Sequence, residues 1–379
     1  MIKVLFLTND LGSQKGGQEL ANVFLLGNLC DFCSFTIFNQ QFFKEEWNYK
    51  KIDFDINLDF RKGFLDALFD LIKNLRCVNK ERFDLVLVSA TPFSGLLYFF
   101  IIKSFFLFRN ARIINFCHID PLSSVLRASR FPFILYPLGL FLYRRLDKIV
   151  VTNPFMAETF KKYYFVDKDK IVIIPYPLRD DFFELLRMRP EKKLPKGRNI
   201  ITVTRLETSQ KDPLTLIKAF SIVKRKIKDA NLIICGVGPD ENQIRDLAKE
   251  LKVSDSVYFF GFVKNPISLI KRSDVFALSS KSEGTPISLI EALACGLPIV
   301  ATDCPVGPRW ILDNGKGGFL VPVGNHLKMA EAISYAIESR KGVEKKISRQ
   351  KILAKRFYPE IIVRKWKFFL SNICDVSND

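Results

Sequence analysis

Histidine is nearly absent from this chain, with two residues among 379, and tryptophan and methionine are scarce at three and four. Eight cysteines are present, at 30, 33, 77, 117, 235, 295, 304 and 374, but only Cys30 and Cys33 stand at C-x-x-C spacing. With no second pair and so few histidines, a zinc site has no ligand set. The pair closes a helical pattern and enters an apolar strand, whereas a redox pair opens a helix, so both are read as plain buried thiols in a reducing compartment. No apolar run reaches the roughly 20 residues that a membrane-spanning helix needs, and Met1–Asp10 reads as a strand rather than a cleavable leader. Acidic residues are in deficit, 40 Asp and Glu against 58 Lys and Arg, for a formal net charge of +18. The basic residues are dispersed, with no helix-turn-helix, zinc-finger or RNA-recognition pattern, so no nucleic-acid partner is expected.

What the chain has is a large apolar content, 48% of residues with 36 phenylalanines, beside 26% charged residues. That composition excludes disordered, collagenous and coiled-coil classes, and the length suits two domains. Short apolar runs recur at Ile2–Thr8, Ser34–Phe38, Leu85–Ser89, Arg112–Cys117, Lys148–Thr152 and Ile171–Pro175. The rhythm repeats at Ile200–Thr204, Asn231–Cys235, Val257–Gly261, Val275–Leu278, Pro298–Thr302 and Gly318–Val321. Runs apolar on both faces are the mark of parallel strands covered by helices on both sides. Helical patterns such as Pro213–Lys228 lie between them, so the fold class is α/β, two doubly wound Rossmann-like domains facing a cleft. The expected organisation is a first domain over 1–183, a charged, proline-containing linker at 184–198 and a second domain over 199–356. A Trp- and Phe-rich helix at 357–379 is expected to pack back on the first domain.

Four places can carry chemistry. The first is E-G-T-P-I-S-L-I-E, Glu283 to Glu291, between two strands and opening a helix near Pro286. The leading amides of a helix and its positive dipole end are a seat for phosphate, here along Gly284, Thr285, Pro286 and Ile287, where every residue but the proline has an N–H to give. Glu291, about a turn and a half in, could accept both hydroxyls of a ribose, and Glu283 those of a sugar ring. Second, Arg205 and Lys211 follow the second domain's first strand, where cations would stabilise a departing nucleoside diphosphate. Third, the loop Leu11–Glu19 holds Gly16 and Gly17, which allow close approach of backbone to a ligand. Its spacing is not G-x-G-x-x-G, and Asn39 and Gln40 replace an acidic residue at the end of the second strand, against a dinucleotide cofactor. Fourth, His118 stands at the end of a strand, where it could hydrogen-bond a sugar hydroxyl or bear charge transiently.

These motifs resemble the group 1 (family 4) retaining glycosyltransferases with the two-Rossmann GT-B fold, over nearly the whole chain and most specifically from Ile200 to Val323. The resemblance implies Glu291 on the ribose, Glu283 on the donor sugar, and Arg205 and Lys211 on the diphosphate. It implies Gly16, Gly17 and Glu19 as the G-G-x-E of the first loop, and His118 near the transferred sugar. Gly236 and Gly238 match the turn after the second domain's second strand, and Phe262 and Val263 the segment against the base. The stretch Thr302–Arg309 is similar to members that extend lipid-linked oligosaccharides or surface polysaccharides, usually from UDP-sugars. Trp310 departs from the glutamate common there.

The resemblance implies a retaining, metal-independent transfer of a hexose or N-acetylhexosamine, with no cofactor, because the nucleotide sugar (UDP favoured) is a substrate. The acceptor it implies is a hydroxyl of a lipid-linked oligosaccharide or polysaccharide precursor. D-x-D patterns at Asp53–Asp55 and Asp167–Asp169 fall in polar connections and are given no metal. The alternative reading is a nucleotide-sugar epimerase or phosphorylase on a related frame. Two apolar segments, Leu96–Phe108 and Phe131–Tyr143, are flanked by Arg130, Arg144 and Arg145, and residues 101–150 hold eight Lys and Arg against two Asp and Glu. They read as core helices or as a face for an anionic membrane surface, which would place the protein in the cytoplasm, peripheral on the inner leaflet.

Overall fold

The computed structural model describes residues 1–8, 17–39, 72–73, 75–76, 78–79, 82–90, 92–105, 107–122 and 132–375. The chain divides into two compact units, Met1–Pro177 with Pro359–Asp379, and Leu178–Tyr358.

The first unit is built on a parallel sheet of β1 (Ile2–Thr8), β2 (Cys33–Asn39), β3 (Leu85–Ser89), β4 (Arg112–Cys117), β5 (Lys148–Val151) and β6 (Ile171–Ile173), in the order β2-β1-β3-β4-β5-β6. Val4 to Leu7 and all of β3 are buried, which is why these strands read as unbroken apolar runs. The helices are α1 (Gly17–Leu29), α2 (Pro92–Ser104), α3 (Pro132–Tyr143) and α4 (Pro154–Tyr164). α4 is capped by Asn153, whose side chain accepts from the Met156 amide, with Pro154 at its start.

The second unit repeats the plan with β7 (Arg198–Val203), β8 (Ala230–Cys235), β9 (Val257–Gly261), β10 (Val275–Leu278), β11 (Ile299–Thr302) and β12 (Phe319–Val321), in the order β12-β11-β10-β7-β8-β9. All pairings are parallel. Its helices are α5 (Phe182–Arg187), α6 (Pro213–Lys226), α7 (Glu241–Glu250), α8 (Ile267–Lys271), α9 (Ile287–Cys295), α10 (Pro308–Ile311), α11 (His326–Glu338) and α12 (Arg340–Ala354). α6 shows why the sequence starts a helix there. Asp212, in the left-handed region at φ 46°, accepts from the amide and hydroxyl of Thr215, Pro213 follows, and Lys224, Arg225 and Lys226 sit at the negative end of the dipole.

The charged stretch 184–198 is not simply a connection. α5 takes its beginning, with Phe182 1% exposed and the Leu185 carbonyl accepting from Asn265 Nδ2 at 3.2 Å, and β7 takes its last residue. The units therefore change at Pro177–Leu178, ahead of that stretch. The chain's last helix, α13 (Pro359–Asp375), belongs to the first unit, where Trp366 is buried with its ring edge-on to Phe116 at 5.1 Å.

The expectation of buried thiols holds for Cys33 and fails for Cys30. Cys33 starts β2 and is pushed up to about 12 by burial, as are Cys235, Cys295 and Cys304, while Cys30 is exposed beyond the end of α1. Cys77 lies outside the described residues. No described helix is long and apolar enough to cross a membrane.

Removing the Trp366 ring should empty the junction of α13 with β4. Trp366→Ala is expected to cost about 3–5 kcal/mol, read as a lower urea midpoint in circular dichroism.

Candidate functional site

In doubly wound sheets, ligands bind beyond the carboxyl ends of the strands where the strand order reverses. In the second unit that point lies between β7 and β10, which are neighbours although far apart in sequence. The loops leaving these strands carry Arg205, Lys211 and Glu283, and they are laced together. Lys281 donates its amide to the Gln210 carbonyl at 2.8 Å and its ammonium to the Thr208 carbonyl at 2.9 Å, and Ser279 Oγ donates to the Lys211 carbonyl at 3.2 Å.

At the centre, Lys211 Nζ lies 2.7 Å from Glu283 Oε2, with side chains 18% and 4% exposed. Ser280 Oγ donates to the other Glu283 oxygen at 2.6 Å, and the Ser280 carbonyl accepts from Thr302 Oγ1 at 2.6 Å. Glu283 is thus held by an ion pair and a hydroxyl and does not cap the helix that follows. Arg205 is different: its side chain is 63% exposed and its Nε is 3.6 Å from Glu207 Oε2.

After Glu283 the chain passes Gly284, a buried Thr285 and Pro286 into α9, whose start no side chain caps. Gly307, at φ +95°, backs this loop so closely that a Cβ there would lie 2.6 Å from the Gly284 carbonyl oxygen. Ile287 opens α9 and Glu291 sits on it, 5% exposed. Burial raises the Glu291 carboxyl to about 7, against the opposing pull of Arg179, with Asp181 adding to the rise.

Gly236 and Gly238 act through close approach. The loop after β8 runs against the Thr204–Leu206 segment, with Thr204 N donating to the Cys235 carbonyl and Leu206 N to the Val237 carbonyl. A Cβ on Gly236 would meet the Thr204 carbonyl oxygen at 1.8 Å. These glycines set the position of the backbone that carries Arg205. After β9, Phe262 is 55% exposed while Val263 is buried, so only the phenyl ring is open to stack on a base.

In the first unit the strand order reverses between β1 and β3, and a buried polar chain fills the strand ends. His118 is 4% exposed, with Nδ1 2.7 Å from Tyr176 Oη and Nε2 2.6 Å from Ser89 Oγ. Ser89 Oγ donates to Asn22 Oδ1 at 2.5 Å, and Asn22 Nδ2 donates to Thr8 Oγ1 at 3.0 Å. Because the Ser89 proton goes to a carbonyl oxygen, His118 carries its hydrogen on Nε2 and accepts from Tyr176 at Nδ1. Burial lowers the imidazole to about 3, so the ring is neutral. Gly17 opens α1; Gly16 and Asp53–Asp55 lie outside the described residues. Asp167 precedes a single turn of 3-10 helix, Lys168–Lys170, and Asp169 lies within it; among the described residues no group of three or more His, Cys, Asp or Glu could hold a metal ion.

The sequence did not point to Ser280, Arg179, Ser89, Asn22 or Tyr176. Ser280, three residues before Glu283, is the one with a local signal, in the polar run S-S-K-S-E at 279–283.

Comparisons with known proteins add to this geometry. A family model described as Glycosyl transferases group 1 matches residues 186–353, and one described as Glycosyltransferase Family 4 matches 39–182. An uncharacterized glycosyltransferase of Methanocaldococcus jannaschii is 33% identical over 217 residues, 55% of this chain and 52% of that protein. The N-acetylgalactosamine-N,N'-diacetylbacillosaminyl-diphospho-undecaprenol 4-alpha-N-acetylgalactosaminyltransferase of Campylobacter jejuni is 32% identical over 162 residues, 43% of each chain. The chain spans about half the length of the curated relatives it matches. Anabaena HepE in complex with UDP matches with a TM-score of 0.75 at 17% identity, covering 98% of this chain and 100% of that one, a likeness of fold.

Two measurements check the electrostatics. Folding keeps Glu291 neutral between its unfolded value near 4.5 and about 7, so stability falls as pH rises through that window and stays reduced above it. Glu291→Gln should therefore match the parent near pH 4.5 and exceed it by about 2–4 kcal/mol at pH 8 in denaturant titrations. The His118 ring should keep the Nε2–H tautomer with nitrogen shifts unchanged from pH 8 to pH 5 in 15N spectra, assigned against a His326→Gln variant.

Proposed function

The chain belongs to the group 1 glycosyltransferases, and from that premise we propose that it moves a hexose or N-acetylhexosamine, with retention, from a nucleotide sugar to a hydroxyl group. The observation that carries this reading is the Lys211–Glu283 pair at the strand reversal, beside the uncapped start of α9. A lysine ammonium has three donors and Glu283 takes one, which leaves two for diphosphate oxygens. Arg205, exposed on the same loop, would supply the second cation, and Gly284 to Ile287 the backbone of an anion seat. Glu283, held still by Lys211 and Ser280, is assigned to hydroxyls of the donor sugar, and Glu291 to those of the ribose. Phe262 is assigned to the face of the base, with Val263 behind it.

The donor is proposed to be a UDP-sugar, a reading supported by the UDP bound to Anabaena HepE. The acceptor is proposed to be a lipid-linked oligosaccharide or polysaccharide precursor, in line with the diphospho-undecaprenol named in the Campylobacter relative. A lipid-linked acceptor in turn favours a peripheral place on the inner face of the cell membrane. The step is a front-face displacement. The acceptor oxygen bonds to the anomeric carbon as the bond from that carbon to the phosphate oxygen breaks, and the acceptor proton passes to an oxygen of the leaving diphosphate. Charge grows on the diphosphate as it leaves, where fixed cations and helix amides contribute most, and no metal is assigned. His118 is proposed to stand near the transferred sugar as a neutral ring. Hydrogen bonding to that sugar requires it to release Ser89 or Tyr176.

UDP is expected to raise the melting temperature more than GDP or ADP does. Lys211→Ala and Glu291→Ala should each lower kcat/KM by roughly 10-fold to 1,000-fold, and a chelator should leave the rate unchanged. Near-normal turnover of both variants would refute the assignment, and complete loss in chelator would refute metal independence.

A further inference from the structure

α3 has no charged residue along its length. A helix apolar all round is ordinarily enclosed by protein, and the inner side of α3 is, with Leu135, Leu142 and Tyr143 buried. Its outer side is not. Phe133 is 89% exposed and Phe141 53% exposed, and Pro137 lies between them on the same face at helical spacing. On α2, Phe100 is 48% exposed.

The C-terminal halves of α2 and α3, with the turn leading into β4, enclose a groove of about 920 Å³. Ile102, Leu107 and Leu142 give it apolar walls, and its cations are Lys103, Arg109, Arg145 and Arg112, the last paired with Asp147. Arg145 sits over the Phe141 ring, its Cζ 3.5 Å from the centroid, and donates to the Phe141 carbonyl at 3.0 Å, so its charge is held at the junction of groove and aromatic face. Asp147 is among the groove residues, but its carboxylate is 3.2 Å from Arg112 and bonds the Ile113 amide at 2.8 Å.

We propose that this groove binds an anionic lipid, its headgroup phosphate among Lys103, Arg109 and Arg145 and its chains along the aromatic face of α3. The proposal deepens the peripheral-membrane reading above and rests on it. An occupant must be both anionic and apolar. A second copy of this chain would set the same cations against themselves, and an acidic peptide would leave Phe133 and Phe141 in water. A leaflet satisfies both halves at once, because aromatic side chains favour the headgroup boundary and each Lys or Arg gains from the negative surface. With no described helix able to span a bilayer, the contact is with the surface of the leaflet.

The test is co-sedimentation of the full chain, without sugar nucleotide, with vesicles of phosphatidylcholine alone or with added phosphatidylglycerol. The parent should partition at least 10-fold more strongly onto the anionic vesicles. Phe133→Glu, at a side chain almost wholly in solvent, should weaken that partition at least 10-fold. Lys103→Gln combined with Arg145→Gln should weaken it about 25-fold, on the order of fivefold per charge, with circular dichroism melting confirming that each variant is folded. No binding, equal binding to both vesicles, or loss with the charge variant alone and not with Phe133→Glu each overturns the proposal. The UDP-dependent melting shift should persist in both variants. Its absence from the parent would count against the transferase reading and leave the lipid result standing.

Discussion

A lysine and a glutamate brought together from 72 residues apart hold the second unit's strand reversal in one arrangement. Taking two charges out of water is costly, and their attraction offsets the cost only where further hydrogen bonds satisfy what remains of each group. Here Ser280 donates to the second oxygen of Glu283, and the lacing by Ser279 and Lys281 keeps the two backbones from drifting apart. Because β7 and β10 are adjacent parallel strands, their loops leave the sheet side by side, and the Lys211 and Glu283 side chains can meet between them. Removing either partner would strand a charge in a place that water barely reaches. The pair therefore sets the shape of the loop ends before any ligand arrives, as a site that acts by electrostatic preorganisation requires.

The two units share a parallel, doubly wound plan with different strand orders, and they fill the reversal point with opposite chemistry. In the second it is charged: Lys211 against Glu283, with Arg205 exposed on the same loop and Glu291 close behind on α9. In the first it is neutral: a run of hydroxyls, an amide and an imidazole from Thr8 to Tyr176, each proton directed by the next acceptor. A neutral network can be buried completely, since every member finds a partner. A charged site must keep some exposure if an ionic ligand is to enter, and the 63% exposure of the Arg205 side chain meets that need.

Much of the fold was legible because parallel strands buried on both faces cannot avoid continuous apolar runs. Ile2–Thr8 and Val275–Leu278, for example, form strands over the expected residues. The carboxylate pair was legible for a different reason, since Glu283 and Glu291 come within one uninterrupted motif. Their surroundings were not. Arg179 acts on Glu291 from more than a hundred residues upstream, and Tyr176 meets His118 across 58 residues, so no local pattern records either contact. Composition misled at 184–198, where charge and proline signal a connection but one buried phenylalanine and a backbone carbonyl dock α5. It was also silent on Val263, which neighbours an exposed aromatic and is itself buried.

The seven residues between Glu283 and Glu291 have a geometric meaning. α9 begins between the two glutamates, at Ile287, so Glu283 approaches its first turn from outside and Glu291 stands four residues within. Side chains on a helix lean toward its N-terminus, and residues four apart share a face. The Glu291 carboxylate is thus carried back over Ile287, toward the end that Glu283 adjoins. The spacing sets two acids at one helix start, where the leading amides provide positive potential between them. Yet the acids are not equivalent. Glu283 has a lysine at hydrogen-bond distance, whereas Glu291 meets Arg179 only through the field and is left near neutrality by burial. Hydroxyls supplied by a ligand would be new partners for Glu291, and its ionisation is therefore the part of the motif most open to change on binding.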